Sequence, residues 1–366
     1  MRSELRELEY NSQQDKSLKK VLNDALQEYL TAHQDHRYAD RGMKFKLAIL
    51  CLFCAASYIT ALHQSSVIWF SLLYFCYITF ALLLAINVVH DASHNVFFRS
   101  GRANKWLNCL ITIPLGIDPD CWRVRHVIQH HPYTNVEYYD LDIDYNGVLR
   151  QTPFQVHYWF MRYQHYYWPI VAAMTFPAIV WCFDWQDRLG LKFNVKKFTS
   201  QGRNGWMVFL LAKSGHILLA FILPAWVCPQ FNFSWIVLVY CLSQMSSSLI
   251  FVVLILGSHW AKATFYQAPE NGHFMHGRLQ HAFNTTLNWH LKYGWLEYWL
   301  GGLNLHLTHH LYPGVSHRHY HKLTPIVADI AQQFNISYQA LSLIGLFKSQ
   351  QEFLKKMGSN YRENLS

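Results

Sequence analysis

The chain has 366 residues, of which 52% are hydrophobic, 16% aromatic and only 14% charged. Soluble domains carry roughly 25% charged residues, so this composition excludes intrinsic disorder, collagen and a coiled coil. A net charge of +9 fits nucleic acid or an anionic membrane face as partner. The basic residues are not gathered into one face and no nucleic-acid motif occurs, so we expect membrane lipids and no nucleic acid.

Residues 1–43 are polar, and apolar residues recur at helical spacing over 16–33, which predicts a cytosolic amphipathic helix on a surface. Four long apolar runs follow, each able to cross a hydrocarbon core of about 30 Å. They are 45–62, 66–89, 207–227 and 234–257. The run 168–183 is shorter and holds two prolines, so we expect it to lie in the interface without spanning. The sequence thus predicts a membrane domain at 44–345 and a C-terminal tail at 346–366.

Basic residues near the ends of the apolar runs predict the orientation, because they favour the cytoplasmic side. They lie before or at the start of the first run and before the third run, at Arg41, Lys44, Lys46, Arg188, Lys192, Lys196, Lys197 and Arg203. The turns at 63–65 and 228–233 carry no charge. We therefore expect two helical hairpins, with both termini and both long connecting regions in the cytoplasm.

Three histidine clusters follow the predicted spans on that same side. The first box is His90 and His94, the second is His126, His130 and His131, and the third is His306, His309 and His310. Histidines three or four residues apart share one face of a helix and can bind one ion. A single H-x-x-x-H arises by chance about once in a chain so rich in histidine, but two three-histidine boxes do not. His259 directly follows the fourth span, and its position alone leaves its role open.

Imidazole nitrogen is a ligand for iron, zinc, copper or nickel. Eight or nine histidines exceed what one ion uses, so the boxes indicate two ions. Ligating histidines need hydrogen-bond acceptors for their second nitrogen. Candidates are Asp91, Asn135, Asp118, Asp120, Asp140, Asp142, Asp144 and Glu297. The acidic run 140–144 has a second interpretation, as a solvated face that docks a redox partner.

Three stretches resemble the membrane fatty acid desaturases, within them the bacterial acyl-lipid or linoleoyl-CoA branch that is related to front-end enzymes. They are VVHDASHNVFF, WRVRHVIQHHPYTN and GGLNLHLTHHLYPGVSHRHYHKL, supported by GSHWAKATF and HAFNTTLNW. The resemblance covers about residues 45–345. It implies an all-α protein with four transmembrane helices under a cytosolic helical cap. It also implies a di-iron centre that uses dioxygen and two electrons to introduce a double bond into an acyl chain.

Carried over position by position, the implied metal ligands are the eight box histidines and His259. Asn288 matches an asparagine that reaches the metal through water. The chain has His306 where many front-end relatives have Gln, which leaves regiospecificity open. It has no H-P-G-G motif of a fused cytochrome b5 domain, so we expect a separate electron donor such as ferredoxin, rubredoxin or cytochrome b5. The implied location is an integral membrane protein, in the bacterial inner membrane, with a cytoplasmic active site.

The acyl substrate is linked to a lipid, to coenzyme A or to a carrier protein, and the sequence does not choose among them. Four basic residues are candidates for its anionic head group or carrier: Arg123, Arg125, Lys262 and Arg278. Trp122, Trp260, Trp289 and Trp295 are expected in the interfacial aromatic belt. A related di-iron hydroxylase, ketolase or acetylenase is the alternative function. A histidine-rich metal transporter is remote, because its ligands belong near the middle of the membrane.

Overall fold

The computed structural model describes residues 6–191, 199–200 and 202–359, and these form two compact units. We call residues 38–124 and 172–252 the span unit. Residues 6–37, 125–171 and 253–359 form the histidine unit, which contains the second and third boxes and His259. Lys192, Lys196 and Lys197, and positions 360–366 of the predicted tail, lie outside the described residues.

Among the described residues, four helices are long and apolar enough to cross a membrane, as the sequence predicts. They are Arg41–Leu62, Val67–Ser93, Gly202–Val227 and Phe233–Trp260. Asp40 caps the first by accepting a hydrogen bond from the backbone N–H of Met43 at 2.8 Å. The first two pack along each other, with the rings of Phe53 and Phe80 stacked 5.4 Å apart. These helices begin and end within a few residues of the predicted runs.

The segment around the predicted interfacial run is a bent pair of helices. Trp159–Ala173 and Thr175–Leu189 meet at an angle of 55°, which fits either a broken span or a re-entrant loop. Pro169 and Pro177 lie one on each side of the break, and proline removes a backbone donor from a helix. The expectation that 168–183 does not cross the membrane stays a prediction.

A lysine inside the third apolar helix has its charge satisfied within the span unit. Lys213 Nζ lies 2.8 Å from Asp184 Oδ2 and donates to the carbonyl oxygens of Gly116 and Val180. An isolated buried ammonium is costly, so these partners explain how the helix tolerates it. The shorter helices of this unit are Gly101–Ile111, Ile113–Leu115, Pro119–Arg123, Thr175–Ala178, Ile179–Phe183 and Asp184–Leu189.

The histidine unit is built from helices around several apolar clusters and, among the described residues, one pair of strands. The strands Asn288–His290 and Ala340–Ser342 are parallel, with Trp289 opposite Leu341. The helices are Ser12–Ala32, Leu141–Ile143, Trp159–Tyr163, Gln164–Ala173, Arg278–Thr285, Gly294–Trp299, His306–Leu311, His317–His319, Tyr320–Gln333 and Leu343–Gly358. The last helix continues across the predicted domain boundary at 345/346, and Leu346, Leu354 and Met357 on it are buried.

The predicted amphipathic helix near the N-terminus is present as Ser12–Ala32, but its apolar face does not lie on an outer surface. Leu18 and Leu22 pack into the same core as Leu307 and Leu311 of the third-box helix. The backbone carbonyl of Leu22 accepts a hydrogen bond from the hydroxyl of Tyr312 at 2.8 Å. This helix therefore supports the third box directly.

Replacing Leu22 by Ala should lower the stability of the histidine unit. Leu22 is 3% exposed, and removing a buried leucine side chain costs about 2–5 kcal/mol. Thermal unfolding of purified protein should show a clearly lower Tm, whereas Glu28→Ala on the exposed face of the same helix should change it little. Equal shifts for the two variants would show that the N-terminal helix is not part of the core.

Candidate metal centre

The second box lies on a π-helix, Val124–His130, rather than on the α-helix that its spacing suggests. The backbone N–H of His131 donates to the carbonyl of His126, five residues earlier, at 3.1 Å. The wider turn brings positions 126, 130 and 131 to one face. Ring centroids of His126 lie 5.7 Å from His130 and 4.7 Å from His131. Such bulges are frequent at functional sites, and side-chain spacing does not reveal them.

The third box occupies the short buried helix His306–Leu311, whose first turn is held by Asn288. The side-chain oxygen of Asn288 accepts hydrogen bonds from the backbone N–H groups of Leu307 at 2.9 Å and Thr308 at 3.4 Å. Its amide nitrogen donates to the hydroxyls of Thr308 and Tyr338. These bonds satisfy donors that a helix start leaves unpaired. A water-mediated bond from Asn288 to a metal stays a prediction.

Four histidines of this unit present their nitrogens to one point. The metal-binding atoms of His130, His259, His306 and His310 all lie within 4.8 Å of one another, and all four side chains are buried. His259, whose role the sequence leaves open, has its ring 4.7 Å from both His130 and His306. The structure thus brings together ligand candidates from the second box, the fourth apolar helix and the third box.

The free nitrogens in this group are the ones a metal ion needs. Nε2 of His130, His259 and His310 is buried and has no hydrogen-bond partner among the described residues. Nδ1 of these rings contacts an oxygen of Asp140 at 3.0 Å, Thr285 at 3.1 Å and Thr134 at 3.4 Å, respectively. Acceptors that hold the hydrogen on Nδ1 leave the Nε2 lone pair for a metal. An all-imidazole donor set of this kind fits iron as well as zinc.

A second convergence within the histidine unit involves His126, His131 and His309. Nε2 of His131 lies 3.3 Å from Nε2 of His126 and 2.8 Å from Nε2 of His309. Nδ1 of His309 forms a hydrogen bond of 2.9 Å with the hydroxyl of Tyr320. Sequence reasoning missed Tyr320, which lies eleven residues beyond His309 and belongs to none of the box patterns.

The first box lies in the span unit, at the end of the helix Val67–Ser93. A π-helical turn, Ala85–Val89, comes directly before His90. The rings of His90 and His94 are 5.2 Å apart, so the two can face a common ion. A carboxylate oxygen of Asp91, a predicted acceptor, lies 3.8 Å from Nδ1 of His90.

Asp140 and Asp142 of the acidic run 140–144 contact His130 of the second box. The interpretation of this run as a solvated docking face is therefore wrong for Asp140. That carboxylate is fully buried and accepts from His130 Nδ1 and from the backbone N–H of Asn135 at 2.8 Å. An oxygen of Asp142 lies 3.3 Å from the same imidazole nitrogen. Burial lowers the pKa of His130, but the charges of Asp140 and Asp142 outweigh it and raise the pKa to about 9. By contrast, burial lowers the pKa of His310 well below its usual value.

Asn135, predicted to accept from a histidine ring, instead fixes the backbone around it. Its side-chain nitrogen donates to the carbonyl oxygens of His259 at 3.0 Å and Thr264 at 3.2 Å. Its own backbone has φ of 57°, a left-handed conformation that asparagine tolerates better than most residues. It therefore links the loop after the second box to the helix end that carries His259.

The remaining residues that the sequence predicts as hydrogen-bond acceptors or as head-group contacts are dispersed along the chain. Asp118 and Asp120 pair with Arg188, and Glu297 accepts from the backbone N–H of Leu291. Arg123 lies 3.7 Å from Asp120, Arg125 is half-buried, and Lys262 and Arg278 are exposed.

The prediction that four tryptophans lie in the interfacial aromatic belt is wrong for two of them. Trp260 and Trp289 are almost completely buried, whereas Trp295 is exposed. Buried Trp289 is part of an apolar cluster with Leu287 and Leu346. Aromatic side chains near span ends serve interface and core alike, and composition does not separate the two roles.

Comparison with known proteins assigns this constellation to a family. Residues 66–342 match the family model described as fatty acid desaturase, which covers most of the chain and all three boxes. The chain belongs to the fatty acid desaturase family. It is an oxidoreductase of the fatty acyl desaturase type, as the resemblance of its histidine boxes implies.

Two relatives of this desaturase match it over almost the whole length of both chains. The sn-1 linoleoyl-lipid 6-desaturase of Arthrospira platensis is 25% identical over 346 residues, which cover 93% of each chain. The protein of the same description from Synechocystis sp. is 25% identical over 356 residues, 95% of each chain. The acyl-lipid (8-3)-desaturase of Physcomitrium patens is 24% identical over 91% of this chain and 70% of its own.

Replacing Asp140 by Asn should weaken metal binding while the fold is retained. The amide has the same shape but loses the charge that orients His130, and such losses cost 10–100-fold in metal affinity. Metal titration of the purified, metal-stripped desaturase measures this. Asp144→Asn, in the same acidic run, should bind metal as the natural chain does. Equal affinities for all three proteins would contradict the positioning role of Asp140.

Proposed function

We propose that this desaturase binds two iron ions through nine histidines: His90, His94, His126, His130, His131, His259, His306, His309 and His310. The observation that carries the proposal is the set of buried Nε2 atoms on His130, His259 and His310, which lack hydrogen-bond partners among the described residues. Burial of so many unsatisfied polar atoms is costly unless a ligand satisfies them. Iron is chosen over zinc because the reaction of the family is a redox reaction, and zinc has no redox chemistry.

The bound iron pair would activate dioxygen, which is the oxidant of the reaction. Metal chemistry is needed because a methylene C–H bond offers an acid or base nothing to act on. Dioxygen, two electrons and two protons are consumed as two hydrogens leave the acyl chain, giving one double bond and two waters. The protein's own contribution is positional. The box histidines would supply nitrogen ligands, Asp140 orients His130, and burial of every proposed ligand except half-buried His94 keeps bulk water away.

The proposed substrate is an acyl chain esterified to a membrane lipid. The cyanobacterial relatives are described as acting on linoleoyl lipid and the moss relative on acyl lipid, and the first two cover almost the whole chain. The proposed electron donor is a separate protein such as ferredoxin, rubredoxin or cytochrome b5. Both termini and the histidine boxes are proposed to face the cytoplasm, as the positions of the basic residues indicate.

His309→Ala should abolish desaturation and lower the bound iron, because it removes one of three converging Nε2 atoms. The control is His321→Ala, an exposed histidine of the same region, which should keep both activity and iron. Iron is measured by elemental analysis of purified protein and activity by product analysis. Full activity with two irons in His309→Ala would refute the ligand assignment.

The products decide between desaturation and the alternative of hydroxylation. Expression in a host fed defined fatty acids, followed by mass spectrometry of the lipids, should reveal acyl chains two mass units lighter than the precursor. The loss of two hydrogens sets that difference. A gain of sixteen units instead would identify an acyl hydroxylase on the same scaffold.

A further inference from the structure

A cleft of about 220 Å³ opens in the histidine unit, beside the end of the fourth apolar helix. Its wall is aromatic. The ring of Phe353 stacks on Trp260 at 5.8 Å and on Phe265 at 5.4 Å, with interplanar angles of 20° and 17°. Its rim carries two lysines, Lys262 and Lys356, and one carboxylate, Glu352. No step of the proposed reaction uses these residues.

The charges of the rim fit a particular kind of ligand. Among the described residues, the rim places two ammonium groups against one carboxylate, which favours an anionic ligand. All three side chains are exposed, so they can meet a ligand from the water side. Lys262 has a backbone φ of 50°, which sets the direction of its side chain within the turn that follows Trp260.

The wall also contains a buried hydrogen-bond donor, the indole N–H of Trp260. Trp260 is 1% exposed and lines the cleft, and its indole N–H has no acceptor among the described residues. A buried indole N–H normally has an acceptor. Ammonium and indole donors suit the oxygens of a phosphate, and Glu352 suits a hydroxyl group.

The position of the cleft, at the end of a helix that can cross a membrane, points to a lipid as the source of the phosphate. Trp260 is the last residue of Phe233–Trp260, a helix long and apolar enough to cross a membrane. Lipid head groups lie where such helices end. The cleft wall is also covalently adjacent to His259, a candidate metal ligand, so a head group bound here would belong to a lipid close to the centre.

We propose that this cleft binds the phosphodiester head group of a membrane glycerophospholipid whose acyl chain is the substrate. The assignment of that lipid as substrate rests on the proposed function, whereas the binding of the head group does not. A phosphodiester is an anion that the two lysines can bind, whereas a neutral glycolipid offers them no anion.

Binding of a short-chain phospholipid tests the site without any need for activity. Purified full-length protein in a neutral maltoside detergent is titrated with dioctanoyl-phosphatidylglycerol, followed by calorimetry. The double variant Lys262→Ala/Lys356→Ala should bind at least about tenfold more weakly, since hydrogen bonds to charged groups contribute on that scale. Lys356→Arg should retain binding.

The matched control is Lys355→Ala, which removes an exposed lysine from the neighbouring position of the same helix but outside the cleft. It should bind the lipid as the natural chain does. If it weakens binding as much as the double variant does, the lysines act only through overall charge and the site is refuted. Unchanged binding in the double variant refutes it as well.

Further titrations identify the source of the phosphate. Inorganic phosphate and dioctanoyl-phosphatidylcholine should bind more weakly than phosphatidylglycerol by about tenfold or more. Palmitoyl-coenzyme A should not compete at equal concentration. Preference for inorganic phosphate or for the coenzyme A ester, lost in the double variant, would overturn the assignment to a phospholipid.

Kinetics then test whether the bound lipid is the substrate. The double variant should show a raised KM for acyl chains on phosphatidylglycerol, with bound iron unchanged. Loss of lipid binding without a change in KM would overturn the substrate assignment. If phosphatidylglycerol binds as expected but no desaturation occurs with any lipid, the proposed function fails and the head-group site stands.

Discussion

The hydrogen bond between Nδ1 of His130 and the buried carboxylate of Asp140 is the interaction on which the proposed centre most depends. It fixes which nitrogen carries the hydrogen and therefore which nitrogen a metal can use. Oxygens of Thr285 and Thr134 contact Nδ1 of His259 and His310 in the corresponding way. The same constraint explains why the surrounding loops are tied so closely together, since a ligand nitrogen that moves by an ångström no longer shares an ion with its neighbours.

The support for this geometry comes from parts of the chain that the boxes themselves do not include. Asn135 ties the second-box loop to the helix end at His259, and Asn288 holds the first turn of the third-box helix. The N-terminal helix packs Leu18 and Leu22 behind that same turn. A polar network through Asn135 and Asn288 and an apolar core that includes Leu18 and Leu22 thus hold in place the segments that carry these few histidines.

Much of this arrangement is predictable from sequence, because its signals are strong and local. Long apolar runs predict the four candidate spans, and paired histidine boxes predict the ligands. The π-helical turn at 124–130 is not predictable in this way, since it changes the backbone hydrogen-bond ladder without a characteristic side-chain pattern. Tyr320 and the burial of Trp289 depend on tertiary packing, which periodicity along the chain does not encode.

The most direct test of the account is X-ray absorption at the iron edge of the purified, iron-loaded protein, together with metal counting. We expect two irons per chain, with nitrogen neighbours and the outer-shell scattering that imidazole rings produce. Substitution of His310 by Ala should reduce that imidazole signal. A single metal per chain, or an iron spectrum dominated by carboxylate oxygen or thiolate sulfur, would contradict the claim that histidines build the centre.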